Sequence, residues 1–254
     1  MAAVWVNAAV CDPIPLPEHP RPDFQRTDWL NLNGLWQFRF DPDNAGLNAR
    51  WGEGKIDFPL TIIVPFPWGS PLSQVKDEAP IAWYSRTIRA PAAWQGQRVF
   101  LVVGACDWET QAWLDGESLG AHCGGYTPFE FELTPRLKPG QEHRLVLRVD
   151  DSNGDFKLEG KQGYGNARGI WQTVYLEARP ATHPSMLHFV PDVDHARVTV
   201  RAALSAPAPA GTALRLRFKT GGIADTAQAV PAGVTEVSLD VPIPNARLWS
   251  LEDP

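Results

Sequence analysis

Apolar residues recur at every second position along much of the chain, and the three-to-four spacing of an amphipathic helix is almost absent. In Arg144-Leu145-Val146-Leu147-Arg148-Val149-Asp150 the two leucines and Val149 share one face, and the arginines point the other way. Leu214-Arg215-Leu216-Arg217-Phe218-Lys219 alternates as a half-solvated antiparallel strand should, and Val237-Ser238-Leu239-Asp240-Val241 repeats the pattern. Arg98-Val99-Phe100-Leu101-Val102-Val103 is more continuously apolar, which suits a central strand covered on both faces.

Proline and glycine punctuate these runs, as at Ala90-Pro91, Lys138-Pro139-Gly140 and Ala206-Pro207-Ala208-Pro209. Short strands separated by regular turn signals predict an all-β sandwich or barrel. Asp115-Gly116, between Thr110–Leu114 and Glu117–Gly120, suits the positive φ angles of a type I′ turn and predicts a hairpin. The polar, Gly-containing stretch from Asp41 to Gly54 predicts a loop. Pro180 and Pro184 bracket a connector, after which aromatic residues become rare. The expected organisation is an N-terminal arm over 1–20, a first domain over 21–180, and a second, smaller sandwich over 183–254. About three convincing strands fit in that second stretch, so an incomplete sandwich is expected, since a seven-stranded one needs about 100 residues.

A chain of 254 residues that is 44% hydrophobic can bury a sizeable core. Its net charge of −6 argues against nucleic acid or an anionic membrane surface as the main partner. No run of eighteen apolar residues exists to span a bilayer. The three cysteines form no evident disulfide framework, so a cytoplasmic location is expected. Among the eleven tryptophans, Trp36, Trp113 and Trp171 lie in strand patterns and are expected in the core.

Most short motifs lack the context their chemistry needs. Gly116-Glu117-Ser118-Leu119-Gly120 matches a nucleophile elbow in spelling, yet it starts in a hairpin turn and continues as a strand. Asp41-Pro42-Asp43-Asn44-Ala45-Gly46 opens like a calcium loop, but Ala45 and Gly52 stand where oxygen ligands are required. His122-Cys123 has no second pair at zinc-ligand spacing. The Asp150–Asp155 stretch could hold a hard cation but is expected to be a solvated turn. No catalytic residue, metal site or cofactor is therefore assigned.

Five collinear segments resemble one family. They are Trp29-Leu30-Asn31-Leu32-Asn33-Gly34-Leu35-Trp36, then Val64-Pro65-Phe66-Pro67 with Trp83-Tyr84-Ser85-Arg86, then Gly104-Ala105-Cys106-Asp107-Trp108. His122-Cys123-Gly124-Gly125-Tyr126-Thr127-Pro128-Phe129 and Arg168-Gly169-Ile170-Trp171-Gln172-Thr173-Val174 complete the set. Residues 21–177 thereby resemble the N-terminal sugar-binding domain of glycoside hydrolase family 2, the family of β-galactosidases, β-glucuronidases and β-mannosidases. The tail is similar to the family's immunoglobulin-like domain. The resemblance implies a galactose-binding-like jelly roll followed by an immunoglobulin-like sandwich, a β-glycoside as ligand, and frequent assembly into homo-oligomers. It further implies that hydrolysis belongs to a (β/α)₈ barrel holding two glutamates, one in an Asn-Glu pair. This chain contains no Asn-Glu dipeptide.

By position in the family's loops, Ser73, Gln74, Lys161 and Gln162 are the expected substrate contacts, their polar groups suiting paired sugar hydroxyls. Asp107 and Tyr126 are expected to order neighbouring loops. The rival reading is a stand-alone carbohydrate-binding or adhesion module. An open reading frame downstream that encodes a barrel would discriminate the two.

Overall fold

The computed structural model describes residues 14–54, 56–152, 167–217, 225–244 and 246–252, and all statements below concern these. Apart from three short 3-10 turns, every regular element among them is a strand. The chain divides into two compact units, the first ending at Ala178 and the second beginning at Arg179.

The first unit is a sandwich. One sheet has the order β3 (Leu60–Val64), β2 (Gly34–Phe40), β4 (Ile81–Ile88), β10 (His143–Asp150), β7 (Glu109–Leu114) and β8 (Glu117–Cys123). All its neighbouring strands run antiparallel. The other sheet has the order β1 (Trp29–Asn31), β12 (Val174–Arg179), β5 (Arg98–Val103) and β9 (Phe129–Glu132). A two-residue ladder joins β6 (Cys106–Asp107) to β11 (Gly169–Ile170).

The core between the sheets comes from the alternation of the strands. Trp36 and Phe38 of β2, Leu145, Leu147 and Val149 of β10, and Val99, Leu101 and Val103 of β5 all join one buried cluster. Burying side chains of this size favours folding by about 1.5–3 kcal/mol each. On the opposite face of β5, Phe100 and Val102 pack with Tyr175 and Trp29, so this strand is covered on both sides as its continuous apolar run implied. The hairpin at Asp115-Gly116 also forms, with Leu114 opposite Glu117 and positive φ at both turn residues. Ser118 accordingly lies in β8 rather than on a strained elbow.

The outer face of the six-stranded sheet departs from the sequence reading. The residues of β10 that alternate away from the core are buried or half-buried: Val146 is buried with Trp51, Phe58, Trp83 and Trp113. Arg148 is 2% exposed and donates from Nη2 to Asn44 Oδ1 and Asp150 Oδ2, both at 2.7 Å. Asp41 anchors this cover, accepting from the backbone N–H of Ala45 and Gly46 and from Trp83 Nε1 at 2.9 Å. The stretch expected only as a loop is thus a lid over a second aromatic layer. Periodicity reports which face a residue takes and not what covers that face.

The second unit has a three-stranded antiparallel sheet of β13 (Pro184–Asp192), β14 (Arg197–Leu204) and β17 (Glu236–Pro242). A two-stranded sheet, β15 (Ala213–Leu216) with β16 (Thr226–Ala229), packs Leu214 and Leu216 onto Val200, Leu239 and Val241 of the first. Five strands therefore stand where the sequence supported about three. Thr-Ala-Gln-Ala of β16 has little strand character of its own and is held by its ladder with β15.

Candidate functional site

Three of the segments quoted for the family resemblance, 104–108, 122–129 and 168–174, meet at the β6–β11 ladder, with Tyr84 of a fourth packed behind it. Asp107 there lies opposite Gly169, and Cys106 opposite Ile170. Gly169 has φ +85°, and a Cβ on it would lie 2.3 Å from the Trp68 ring and from the Tyr84 hydroxyl. No other residue fits without displacing one of them. Behind the ladder Tyr84 is fully buried, and burial raises its phenol well above the usual range. Burial likewise pushes the Cys106 thiol up to about 12. Both groups stay protonated and serve as packing.

On one side of the ladder stand three aromatic rings and a carboxylate. Asp107 packs against Gly125, where a Cβ would come within 2.7 Å of Asp107 Oδ1. The Gly125 carbonyl accepts from Trp171 Nε1 at 2.7 Å, and Gly124 N–H donates to the Trp108 carbonyl at 3.2 Å. Tyr126 is 80% exposed, its ring 5.9 Å from that of Trp171 and nearly perpendicular to it. Trp108 is 50% exposed. Trp171 follows β11 and is only half-buried, which corrects its assignment to the core. Trp36 and Trp113 are buried as expected, Trp36 between the sheets and Trp113 stacked on Trp83 in the outer layer.

Trp68, whose ring lies against Gly169 and whose backbone bridges Arg168, leads into the turn that carries Ser73 and Gln74. Ser70 caps the 3-10 turn Pro71–Ser73 through its side chain, and Gln74 follows in left-handed geometry at φ 64°. The Ser73 hydroxyl is completely buried; it lies 2.8 Å from the Ser70 carbonyl and accepts from Val75 N–H at 3.2 Å. Gln74 is exposed beside it, whereas the Ser73 hydroxyl does not reach the surface, which corrects its expectation as a direct substrate contact. Lys161 and Gln162 lie outside the described residues.

A cluster that the sequence reading missed sits between these parts. Arg168, which forms a backbone bridge with Trp68, donates from Nε to Asp151 Oδ2 at 3.0 Å and from Nη1 to Asp77 Oδ1 and Oδ2 at 3.0 and 3.1 Å. Asp150 and Asp151, read from sequence as part of a solvated acidic turn, are thus engaged. Asp150 takes Arg148 Nη2 and Ser152 N–H. Burial raises the Asp150 carboxyl, but the bonds from Ser152 and Arg148 outweigh it and leave the group below its usual range. Among the described residues no three His, Cys, Asp or Glu side chains converge as a metal set. The end as a whole presents aromatic faces, an exposed amide and a carboxylate, types that suit a polyhydroxylated ligand.

Residues 30–180 match the family model for the sugar binding domain of glycosyl hydrolases family 2. A β-glucuronidase from Paenibacillus borealis is 30% identical over 127 residues, which is 48% of this chain and 21% of that protein. A β-galactosidase from Halalkalibacterium halodurans is 25% identical over 254 residues, covering 88% of this chain and 25% of that one. The apo structure of a β-glucuronidase from Ruminococcus gnavus shares the fold with a TM-score of 0.71 at 22% identity, over 91% of this chain and 41% of that one. The chain thus spans about a fifth to a quarter of the length of these curated relatives. No helix among the described residues is long and apolar enough to cross a membrane. With the family match covering more than half of its length, the chain belongs to glycosyl hydrolase family 2, whose sugar-binding domain it carries.

Proposed function

We propose that this chain is the sugar-binding front of a retaining β-glycosidase that hydrolyses O-glycosidic bonds of the β-galactoside, β-glucuronide or β-mannoside class. The family match over residues 30–180 carries the reading. Retaining hydrolysis needs two carboxyl groups about 5–5.5 Å apart across the scissile bond. In this reading they belong to a (β/α)₈ domain outside these 254 residues. The present chain contributes the β6–β11 end, which faces the terminal sugar. Gln74, Lys161 and Gln162 hydrogen-bond its hydroxyls, and Ser73 supports that contact from beneath through the turn that presents Gln74. Asp107 orders the Gly124–Tyr126 turn against which it packs. A cytoplasmic location and assembly with further copies complete the proposal. The free thiols of Cys106 and Cys123 favour that location.

The test is an assay of the full-length gene product against a panel of aryl β-glycosides. One glycone class should be cleaved with retention. Gln74→Ala, and separately Lys161→Ala with Gln162→Ala, should raise KM by about tenfold, the scale of one lost hydrogen bond of ~1.4 kcal/mol. Failure to cleave any β-glycoside would sink the proposed activity. Unchanged KM in the variants would sink the assigned contacts.

A further inference from the structure

We infer that Arg168 is a positioning residue: it holds the Gln74-bearing turn in place at the β6–β11 end. The inference rests on the sugar-facing reading of that turn. One guanidinium grips two carboxylates from distant stretches of chain, Asp77 at a separation of 91 residues and Asp151 at 17. The side chains of Arg168 and Asp151 are 14% and 7% exposed, so water screens this contact less than it screens a surface ion pair. Asp151 sits on fixed backbone: its N–H donates to the Pro80 carbonyl at 2.9 Å, and Asp150 before it pairs with both Ile81 and Glu109. Asp77 is the end on the side of the turn. Its Cβ lies 3.0 Å from where a Cβ on Gly69 would stand, and Gly69 N–H donates to the Val75 carbonyl at 2.8 Å. That bond closes the turn over Pro71–Gln74. Fixing Asp77 therefore fixes the turn, and Gln74 with it. The grip uses the planar fork of Arg, with Nε directed to one partner and Nη1 to the other. A lysine ammonium keeps the charge and loses the fork.

The experiment compares the 254-residue chain with its Arg168→Lys variant by amide hydrogen exchange. The Gly69 amide should exchange at least tenfold faster in the variant, and the Leu101 amide in β5 less than twofold faster. Unchanged Gly69 exchange overturns the clamp. So does equal acceleration at Leu101, which marks a global loss of stability. If Arg168→Lys fails to fold, Asp77→Ala removes the same link from the turn side, where the carboxylate is 36% exposed, and keeps the Cβ that packs on Gly69. The second readout is kinetic, in the full-length gene product. Arg168→Lys should raise KM with little change in kcat, and Arg168→Lys with Gln74→Ala should show the KM of Gln74→Ala alone. Additive effects overturn the action through Gln74. The exchange measurement needs no sugar, so a failed clamp and a failed glycosidase reading give different results.

Discussion

Trp36 is 1% exposed and donates its indole N–H to the Leu32 carbonyl at 2.7 Å, whereas Trp171 is half-buried against a turn. Replacing each by Ala should separate them in a denaturant midpoint. Trp36→Ala should cost about 3–5 kcal/mol, the scale of a large core cavity, and Trp171→Ala about 1–2 kcal/mol because water fills much of the space. Equal losses would contradict the burial. The sequence placed both in strand patterns and had no signal to part them, since Trp171 lies one residue beyond β11 and faces Tyr126 from the opposite side of a turn. His19 gives a second test at this scale. It is 8% exposed among Trp29, Tyr175 and Glu177. Burial lowers its pKa below 6.5, and the Glu177 carboxylate only partly offsets this. A histidine held neutral in the fold gives stability that is complete above pH 6.5 and is lost as pH falls through the folded-state value. Thermal midpoints between pH 7.5 and 5 should therefore fall more steeply for this chain than for its His19→Gln variant. Parallel slopes would remove His19 from the account.

Alternation along β10 identified its inner face residue by residue, the continuous apolar run of β5 implied cover on both faces, and Asp115-Gly116 fixed one turn. The outer layer was not legible, because Trp51, Trp83 and Trp113 meet only when a 14-residue stretch with no periodicity, 41–54, folds back over the sheet. Its anchor makes a sharp prediction. Asp41 is 1% exposed and accepts three hydrogen bonds, one from a buried indole. Asp41→Ala should destabilise by about 3 kcal/mol, the scale of a lost charged acceptor with a buried donor left over. Near-ultraviolet circular dichroism, sensitive to the Trp83–Trp113 stack at 5.3 Å, should weaken along with the thermal midpoint. An unchanged spectrum would mean that the cover does not depend on this carboxylate.

Over the whole chain, the site shows the same limit. The segments holding Asp107, Tyr126 and Arg168 were recognisable one by one as stretches of a known domain. The join between Arg168, Asp77 and Asp151 was not, since it spans 91 residues and uses a carboxylate that looked solvated. Local motifs survive reading in one dimension, and clusters assembled by topology do not. The contrast among tryptophans has a practical outcome. Trp36, Trp68 and Trp83 are at most 1% exposed, while Trp108 stands 50% exposed beside Asp107. A collisional quencher such as iodide should strip the red edge of the emission first and leave a blue, shielded remainder. Trp249 is 71% exposed as well, so in a Trp249→Phe variant any molecule settling over Trp108 would restore part of that red edge and give an optical gauge of occupancy.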